Sequence, residues 1–570
     1  MTAAAEREWW RSAVVYQIYP RSFADSDGDG IGDLPGIVDR LDYLHRLGVD
    51  VVWLSPVYAS PQDDNGYDIS DYYAIDPVFG TLDDLDRLID GLHRRGMKLM
   101  LDMVVNHTSD EHPWFVEARD PASPKRDWYW WRPPAADGGP PYNWASVFSG
   151  SAWTLDERSG EYYLHLYGAK QPDLNWENPG VRQAMHRMMR WWADRGVDGL
   201  RLDAINLIAK ADEFADGPTP PGSSYGIPWD LVAYGPRLDQ FLAELHREVG
   251  FTERKLITVG ETAGVTIEQA RRLTDPARRE LGMVFTFDHL DLDQKAVGAK
   301  WDLAEVELPL LKRAFARWQD GLAGVGWNSL YWNNHDQPRV VSRFGDDSAE
   351  HRVVSAKTLA TVLHLHQGTP YVYQGEELGM TNTAYTEIGH YRDLESLNFY
   401  RDGLDRGLSE EALLRSLAGR SRDNARAPMH WDDSPQAGFS DGTPWIGVNP
   451  NHVIINALAA EADPDSVFHY YRKLIMLRHA EPVIVHGRFE LLLPDHDQLW
   501  AFTRTLDQDR LLVIANCSSV PAPLPAEGLP GGTGTTTMIS THGEPEAGQL
   551  RPWESAVLRL APPAPPHQLS

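Results

Sequence analysis

Cysteine is almost absent from this chain: Cys517 is the single thiol among 570 residues. One cysteine cannot form an intramolecular disulfide, so the apolar core has to hold the fold together. Cys517 follows an apolar run at 511–515, which favours a buried small side chain over a reactive thiol. The chain is also long for one plain domain, so we expect a large domain with inserted or appended parts.

Long apolar runs are missing as well. No stretch approaches the roughly 20 apolar residues of a transmembrane helix. Residues 1–10 are charged and lack the apolar core of a signal peptide. These two absences predict a cytoplasmic protein without a membrane partner.

Basic residues are scarce relative to acidic ones, 53 against 82, and the net charge is −29. Such a field repels nucleic acid and anionic membranes, so we expect no nucleic-acid partner and a small neutral substrate. Aromatic residues cluster at 128–131, 142–153 and 162–167. Most of them should fill the core, but aromatic faces also stack on the C–H faces of sugars.

Short apolar runs alternate with longer amphipathic segments along the first two thirds of the chain. The run at 14–19, for example, precedes leucine and isoleucine at helical spacing between 34 and 47. Eight runs qualify as strands: 14–19, 51–54, 98–105, 199–203, 256–260, 283–287, 330–332 and 370–373. The alternation predicts an α/β fold, a (β/α)8 TIM barrel.

Two regions depart from this pattern. Between 106 and 174 the chain is rich in Pro, Trp, Gly and Ser with no clear crossover helix, which predicts an inserted subdomain after the third strand. From 485 to 562 short alternating runs predict a C-terminal β-sandwich domain. The barrel would then comprise 1–105 and 175–484, and the proline-rich tail at 563–570 should be frayed.

Ionisable residues stand at the carboxyl ends of several predicted strands, where the active site of such a barrel lies. Asp203 ends one strand, and Arg201, two residues earlier, shares its face and should keep it ionised. Glu261 follows an apolar strand, where burial raises the pKa of an acid. Asp336, preceded by His335, supplies a third carboxylate. Two carboxyl groups flanking one bond are what retaining glycoside hydrolysis requires.

Four segments that contain these residues resemble the four motifs of the α-amylase superfamily, glycoside hydrolase family 13: Asp102-Met-Val-Val-Asn-His107, Gly199-Leu-Arg-Leu-Asp-Ala204, Gly260-Glu-Thr262 and Asn333-Asn-His-Asp336. Gln171-Pro-Asp-Leu-Asn175 is similar to a further motif of its oligo-1,6-glucosidase and α-glucosidase branch. The resemblance spans about 16–560. It implies a retaining, exo-acting α-glucosidase, with glucosyl transfer as a side reaction.

The same resemblance implies a role for individual residues. Asp203 would be the nucleophile, Glu261 the acid/base and Asp336 the stabiliser of the transition state. Asp68 and Arg422 would grip the terminal glucose, and Tyr67 and Tyr167 would stack on it, although Tyr167 replaces the usual phenylalanine. Further residues expected in the glucose pocket are His107, Phe148, Gln171, Arg201 and His335.

An acidic loop follows the first predicted strand. Asp25, Asp27, Asp29 and Asp33 alternate with glycine and other residues, which suits a hard cation such as Ca²⁺, or else Mg²⁺. The loop is not an EF-hand, since Gly36 stands where a bidentate glutamate is needed. The alternative is a polar turn that caps the following helix. In the resembling branch the carbonyl of Ile31 is a further ligand, and the metal is structural.

Other activities and the linkage remain open at this point. A non-catalytic sugar-binding homologue would lack the three acids. A sucrose isomerase would carry an arginine-rich loop after the sixth strand, where this chain reads His289-Leu-Asp-Leu-Asp-Gln294. Ala204 follows the nucleophile where α-1,6-specific members carry valine, so we expect a maltose-type α-1,4 preference, with an oligo-1,6-glucosidase as the alternative. The expected state is a monomer or a homodimer.

Overall fold

The computed structural model describes residues 8–220, 223–295, 300–530, 535–544, 546 and 548–561. Eight parallel strands form its central sheet: β1 Val15–Ile18, β2 Val51–Leu54, β3 Lys98–Val104, β4 Gly199–Asp203, β5 Ile257–Glu261, β6 Met283–Phe285, β7 Ser329–Leu330 and β8 Thr369–Tyr373. Their order is β6-β5-β4-β3-β2-β1-β8-β7. A bridge between Val284 and Asn328 brings β6 beside β7, so the predicted (β/α)8 barrel is confirmed.

Helices alternate with these strands: Leu34–Asp39, Leu41–Leu47, Leu82–Arg94, Pro179–Arg195, Leu238–Val249, Ile267–Thr274, Leu308–Leu322, Arg352–Leu365, Leu394–Asp405, Glu410–Arg420 and Val467–Ala480. Capping residues in the sequence mark where several of these helices begin. Thr81 and Asp84, for instance, form a capping box at the start of Leu82–Arg94. In the part of the chain that is described, no helix has the length and apolar character to cross a membrane.

The segment between β3 and β4 carries its own three-stranded antiparallel sheet, in which Glu161–Leu164 lies between Trp131–Arg132 and Trp153–Asp156. Bridges between His107 and Asp173 and between Tyr129 and Leu174 return this insertion to the carboxyl end of β3. The insertion therefore lies over the end of the barrel where the ionisable residues are.

Five antiparallel strands form a separate sheet near the C-terminus: β9 Arg488–Leu492, β10 Leu499–Leu506, β11 Asp509–Asn516, β12 Thr536–Ser540 and β13 Ser555–Arg559. Their order is β9-β10-β11-β13-β12. Cys517 lies half-buried at the end of β11, and burial raises the pKa of its thiol to about 12, so the thiol stays uncharged. The domain limits stay predictions, and the tail at 563–570 lies outside the described residues.

Candidate active site

A cavity of about 200 Å³ opens at the carboxyl ends of the barrel strands. Its wall includes eight of the residues singled out in the sequence: Tyr67, His107, Phe148, Tyr167, Asp203, Glu261, Asp336 and Arg422. The ends of β4 and β5, the loops after β2, β6, β7 and β8, and the insertion after β3 thus meet around one small cavity, as the barrel architecture requires of an active site.

Arg201 is the centre of the charged network below the cavity. Because side chains alternate along a strand, Arg201 and Asp203 share one face of β4. The Arg201 guanidinium lies 2.8 Å from Asp102, 2.5 Å from Asp203 and 2.9 Å from Glu261. The N–H of Ala204 donates to Glu261 at 3.1 Å. One guanidinium therefore holds both predicted catalytic carboxyl groups close together.

The three acids predicted to take part in catalysis differ in charge. Burial raises the pKa of Glu261 to about 7, with nearby Asp203 and Asp336 adding to the rise and Arg201 opposing it. Burial also raises the pKa of Asp203 to about 6, because the positive charge of Arg201 offsets only part of the effect of burial. The expectation that Arg201 keeps Asp203 fully ionised is thus met only above this pKa. At neutral pH Glu261 is about half protonated and Asp203 is largely ionised.

Asp336 behaves in the opposite way. Burial alone would raise its pKa, but His335, Arg422 and Arg426 hold the pKa well below its usual range. Arg426 lies 2.8 Å from its carboxylate and His335 Nε2 lies 3.2 Å away. Gln17 Nε2 faces His335 Nδ1 at 2.8 Å, which places the ring proton on Nε2, towards Asp336. Asp336 is therefore a permanent negative charge in the cavity.

Arg422 closes the base of the cavity with a different partner from the one predicted. Its guanidinium lies 3.3 Å from Asp64 and 2.5 Å from Asp393. Asp68 was expected here, but it does not line the cavity. Its carboxylate accepts hydrogen bonds from Ser60 and from the backbone N–H groups of Asp63 and Asp64. The assignment of Asp68 to the glucose pocket is corrected to Asp64, four residues earlier.

Aromatic rings form the walls. Tyr67 stacks on His335 with ring centroids 5.2 Å apart, and its hydroxyl donates to Asp102 at 3.0 Å. Tyr167 lies against His107 at 5.1 Å and against Phe148 at 5.7 Å. These faces can pack on the apolar side of a sugar ring.

Gln171 stands behind this wall and does not line the cavity. Its side-chain amide donates to Asp64 at 3.1 Å and contacts His107 at 3.3 Å. Gln171 therefore orients the two residues that face the cavity, which differs from the direct contact expected from the sequence.

Comparison with known proteins agrees with this geometry. The model of the alpha-amylase catalytic domain family matches residues 17–487. This chain belongs to that family. It is 53% identical to an oligo-1,6-glucosidase of Parageobacillus thermoglucosidasius, over 98% of this chain and 100% of the relative. An α-glucosidase of Pediococcus pentosaceus is 50% identical over 98% and 100% of the two chains. The crystal structure of a Bacillus licheniformis trehalose-6-phosphate hydrolase superposes with a TM-score of 0.92 at 46% identity, covering 97% and 100%.

Several residues of this α-amylase-family site were not singled out in the sequence: Asp64, Asp102, Lys300, Asp393, Glu395 and Arg426. Lys300 and Glu395 form an ion pair at 2.5 Å, and both line the cavity. Asp393 also caps the helix Leu394–Asp405 by accepting from Ser396. Asp102 lies inside one of the four motifs, and Arg426 ends the segment Arg422-Asp-Asn-Ala-Arg426, which also resembles the α-glucosidase branch, so these two carried a signal in the sequence.

The acidic loop brings three of its four aspartates together. The carboxylates of Asp25, Asp27 and Asp29 lie within 4.8 Å of one another. Asp33 instead caps the helix Leu34–Asp39 by accepting from Gly36, and its other oxygen accepts from Ser26. Ile31 lies in the same loop and donates its N–H to Asp29 at 2.8 Å. Three clustered oxygen donors fit a hard cation, while Asp33 fulfils the capping role.

Proposed function

We propose that this glycoside hydrolase is a retaining, exo-acting oligo-1,6-glucosidase that releases terminal glucose from isomaltose-type oligosaccharides. The observation that carries the proposal is the pair of carboxyl groups, Asp203 and Glu261, held on one guanidinium beside a cavity closed by Arg422 and Asp64. In retaining enzymes the two carboxyl groups lie only about 5–5.5 Å apart, and their shared contact with Arg201 fits this close spacing.

Each acid has a distinct task in this reaction. The ionised carboxylate of Asp203 attacks the anomeric carbon and forms a glucosyl ester, while the glycosidic oxygen leaves with the proton of Glu261. Glu261, now ionised, takes a proton from water as the water oxygen attacks the anomeric carbon and Asp203 is released. The higher pKa of Glu261 suits the acid, and the lower pKa of Asp203 suits the nucleophile. Transfer results when a sugar hydroxyl replaces the water.

The base of the cavity supports exo action. Arg422 and Asp64 offer a donor and an acceptor to the hydroxyl groups of the terminal sugar. Asp393 holds Arg422 from behind, so its guanidinium is fixed before substrate arrives. A glucan chain cannot continue past this charged base. The closed cavity therefore has room for one terminal glucose.

The linkage in this proposal differs from the maltose-type preference expected from Ala204. The similar proteins include oligo-1,6-glucosidases at 53% and 52% identity, which favour the alternative. Ala204 does not line the cavity and is 2% exposed, so its side chain cannot contact the second sugar directly. Lys300 and Glu395 do line the cavity and can bond to hydroxyl groups of that sugar.

Hydrolysis of trehalose-6-phosphate and isomerisation of sucrose receive less support from the site. A substrate phosphate would need an unpaired cation, but the cations that line the described cavity, Lys300 and Arg422, each have carboxylate partners. The turn Asp288–Asp291 after β6 contains no arginine, unlike the loop expected of a sucrose isomerase. The cytoplasmic location and the monomeric or homodimeric state stay predictions.

A substrate panel tests the proposal. The ratio of kcat/KM for isomaltose to that for maltose should exceed one, by about tenfold for a linkage difference worth 1–3 kcal/mol. NMR should show that α-glucose is the first product. A ratio below one would return the chain to the maltose type, and initial β-glucose would exclude retention.

A further inference from the structure

A second cavity, of about 250 Å³, lies at the opposite end of the barrel. Trp10 and Arg11, which precede β1, line it together with Leu256 before β5 and Gly282 before β6. It is as large as the catalytic cavity, which measures about 200 Å³. Because it lies at the amino ends of the strands, it takes no part in the chemistry at their carboxyl ends.

Glu280 is an acid of this second cavity that the proposed reaction does not use. Its side chain is 2% exposed and lines the cavity. Arg278 donates to Oε1 at 2.9 Å, whereas Oε2 accepts no hydrogen bond from any described residue. A buried acceptor without a donor is destabilising, so a ligand that supplies a hydroxyl donor would bind favourably here.

The remaining lining combines apolar faces with polar groups. Trp10 and Phe251 contribute aromatic surface. Lys255 and Arg279 stand at the exposed rim, and no carboxylate of the described residues lies within 4.0 Å of either. Aromatic surface beside hydrogen-bonding groups is the mixture that binds a sugar ring.

The charges around the cavity favour a neutral ligand. Three acids, Glu8, Asp275 and Glu280, line it together with His246 and three cationic side chains, Arg11, Lys255 and Arg279. An anion at Lys255 and Arg279 would leave Oε2 of Glu280 without a donor, and a cation would be repelled by the two rim bases. A neutral polyhydroxylated ring can donate to Glu280 and accept from Lys255 and Arg279.

We propose that this cavity is a second, non-catalytic binding site for a hexose, with glucose as the representative ligand. Glucose is also the product of the proposed reaction, so the site would fill as product accumulates. Binding is measured without turnover, and therefore failure of the linkage proposal leaves this inference standing.

The test uses the full-length enzyme with its catalytic cavity saturated by an iminosugar glucosidase inhibitor. Glucose is titrated by calorimetry and by saturation-transfer NMR. We expect one remaining saturable site. Glu280→Gln should weaken it by about tenfold, since the amide puts a donor group where Oε2 offers an acceptor. Turnover of isomaltose at low sugar concentration should not change.

The controls make the result decisive. Arg247→Ala is the matched control: it removes an exposed arginine that does not line the cavity, from the helix Leu238–Val249, whose His246 does line it, and this variant should bind glucose like the wild type. If Glu280→Gln fails to fold, Arg279→Ala at the exposed rim should still weaken binding. Absence of saturable binding to the blocked enzyme, unchanged binding in these cavity variants, or binding of inorganic phosphate but not glucose would each overturn the proposal.

Discussion

At the scale of single residues, burial and one guanidinium together set the charges of the site. Asp203 and Glu261 both contact Arg201, yet their pKa values are raised to about 6 and about 7. Glu261 has the higher value and lies near the negative charges of Asp203 and Asp336. A narrow pH range in which one acid is ionised and the other protonated follows from this arrangement.

The pH profile of kcat/KM should therefore be a narrow bell. Activity should rise as Asp203 loses its proton through pH of about 6, and fall as Glu261 loses its proton through pH of about 7. Glu261→Gln should lower kcat/KM on isomaltose by roughly 100- to 10,000-fold and remove the falling limb. It should slow an aryl glucoside with a good leaving group less. A falling limb that persists in Glu261→Gln would assign the acid to another residue.

Asp64 and Asp68 make a matched pair for testing the glucose pocket. Asp64→Asn removes the charge facing Arg422. We expect kcat/KM to fall roughly 10- to 150-fold, which corresponds to the free energy of a hydrogen bond to a charged group. Asp68→Asn should instead lower the melting temperature, since Asp68 accepts three hydrogen bonds within its own loop. Both quantities are measured for both variants. A larger kinetic loss in Asp68→Asn, with stability intact, would reinstate Asp68.

At the scale of elements, alternation alone places a residue on a strand, whereas no local pattern does this for a residue in a loop. The face shared by Arg201 and Asp203 follows from the alternation of β4, and the structure confirms their contact. The loop holding Asp64 and Asp68 turns through left-handed backbone at Asn65 and Gly66. Which carboxylate then faces Arg422, 358 residues away, depends on tertiary packing that no local pattern encodes.

Ala204 directly follows β4 in a left-handed conformation, with φ of 43°. Its N–H donates to Glu261, and its side chain packs in the cluster of Trp144 and Leu207, against which Tyr167 also packs. A substitution here therefore reaches the cavity through neighbouring residues, by moving Glu261 and the wall at Tyr167.

Ala204→Val should strain this turn, because a β-branched residue disfavours left-handed backbone, and lower stability by about 1–3 kcal/mol. Pressure on the wall at Tyr167 should narrow the space for the second sugar of the substrate. This should hinder an α-1,4-linked sugar more than an α-1,6-linked one, because the α-1,4 linkage holds the second sugar closer. The ratio of kcat/KM for maltose to that for isomaltose should then fall by about tenfold. Ala204→Ser, without β-branching, is the control and should keep the ratio within about threefold. Lost stability with an unchanged ratio would limit Ala204 to a structural role.

At the scale of the whole molecule, the acidic loop joins two distant parts of the chain. Asp25 accepts from Ser440 at 2.5 Å, and its N–H donates to the carbonyl of Phe439. Gly30, in left-handed backbone, accepts from Trp445, and a side chain there would collide with Thr443. The loop after β1 is thus packed against the segment 439–445, which follows the arginines of the active site.

We propose that Ca²⁺ binds Asp25, Asp27 and Asp29 and stabilises this junction. With the ion removed, the three carboxylates repel one another. Burial is the main cause of the raised pKa of Asp29, and the charges of Asp27 and Asp25 add to it. A cation held only by the folded chain stabilises it by about 2.7 kcal/mol at a hundredfold excess over its dissociation constant.

Chelation should therefore lower the melting temperature by several degrees, while kcat at low temperature stays unchanged, because none of these residues lines the catalytic cavity. Asp27→Asn should reproduce the loss and respond less to chelation, whereas Asp39→Asn, outside the cluster, should respond like the wild type. If metal analysis finds no bound ion and chelation leaves the melting temperature unchanged, the loop is a polar turn, and its acids serve the backbone alone.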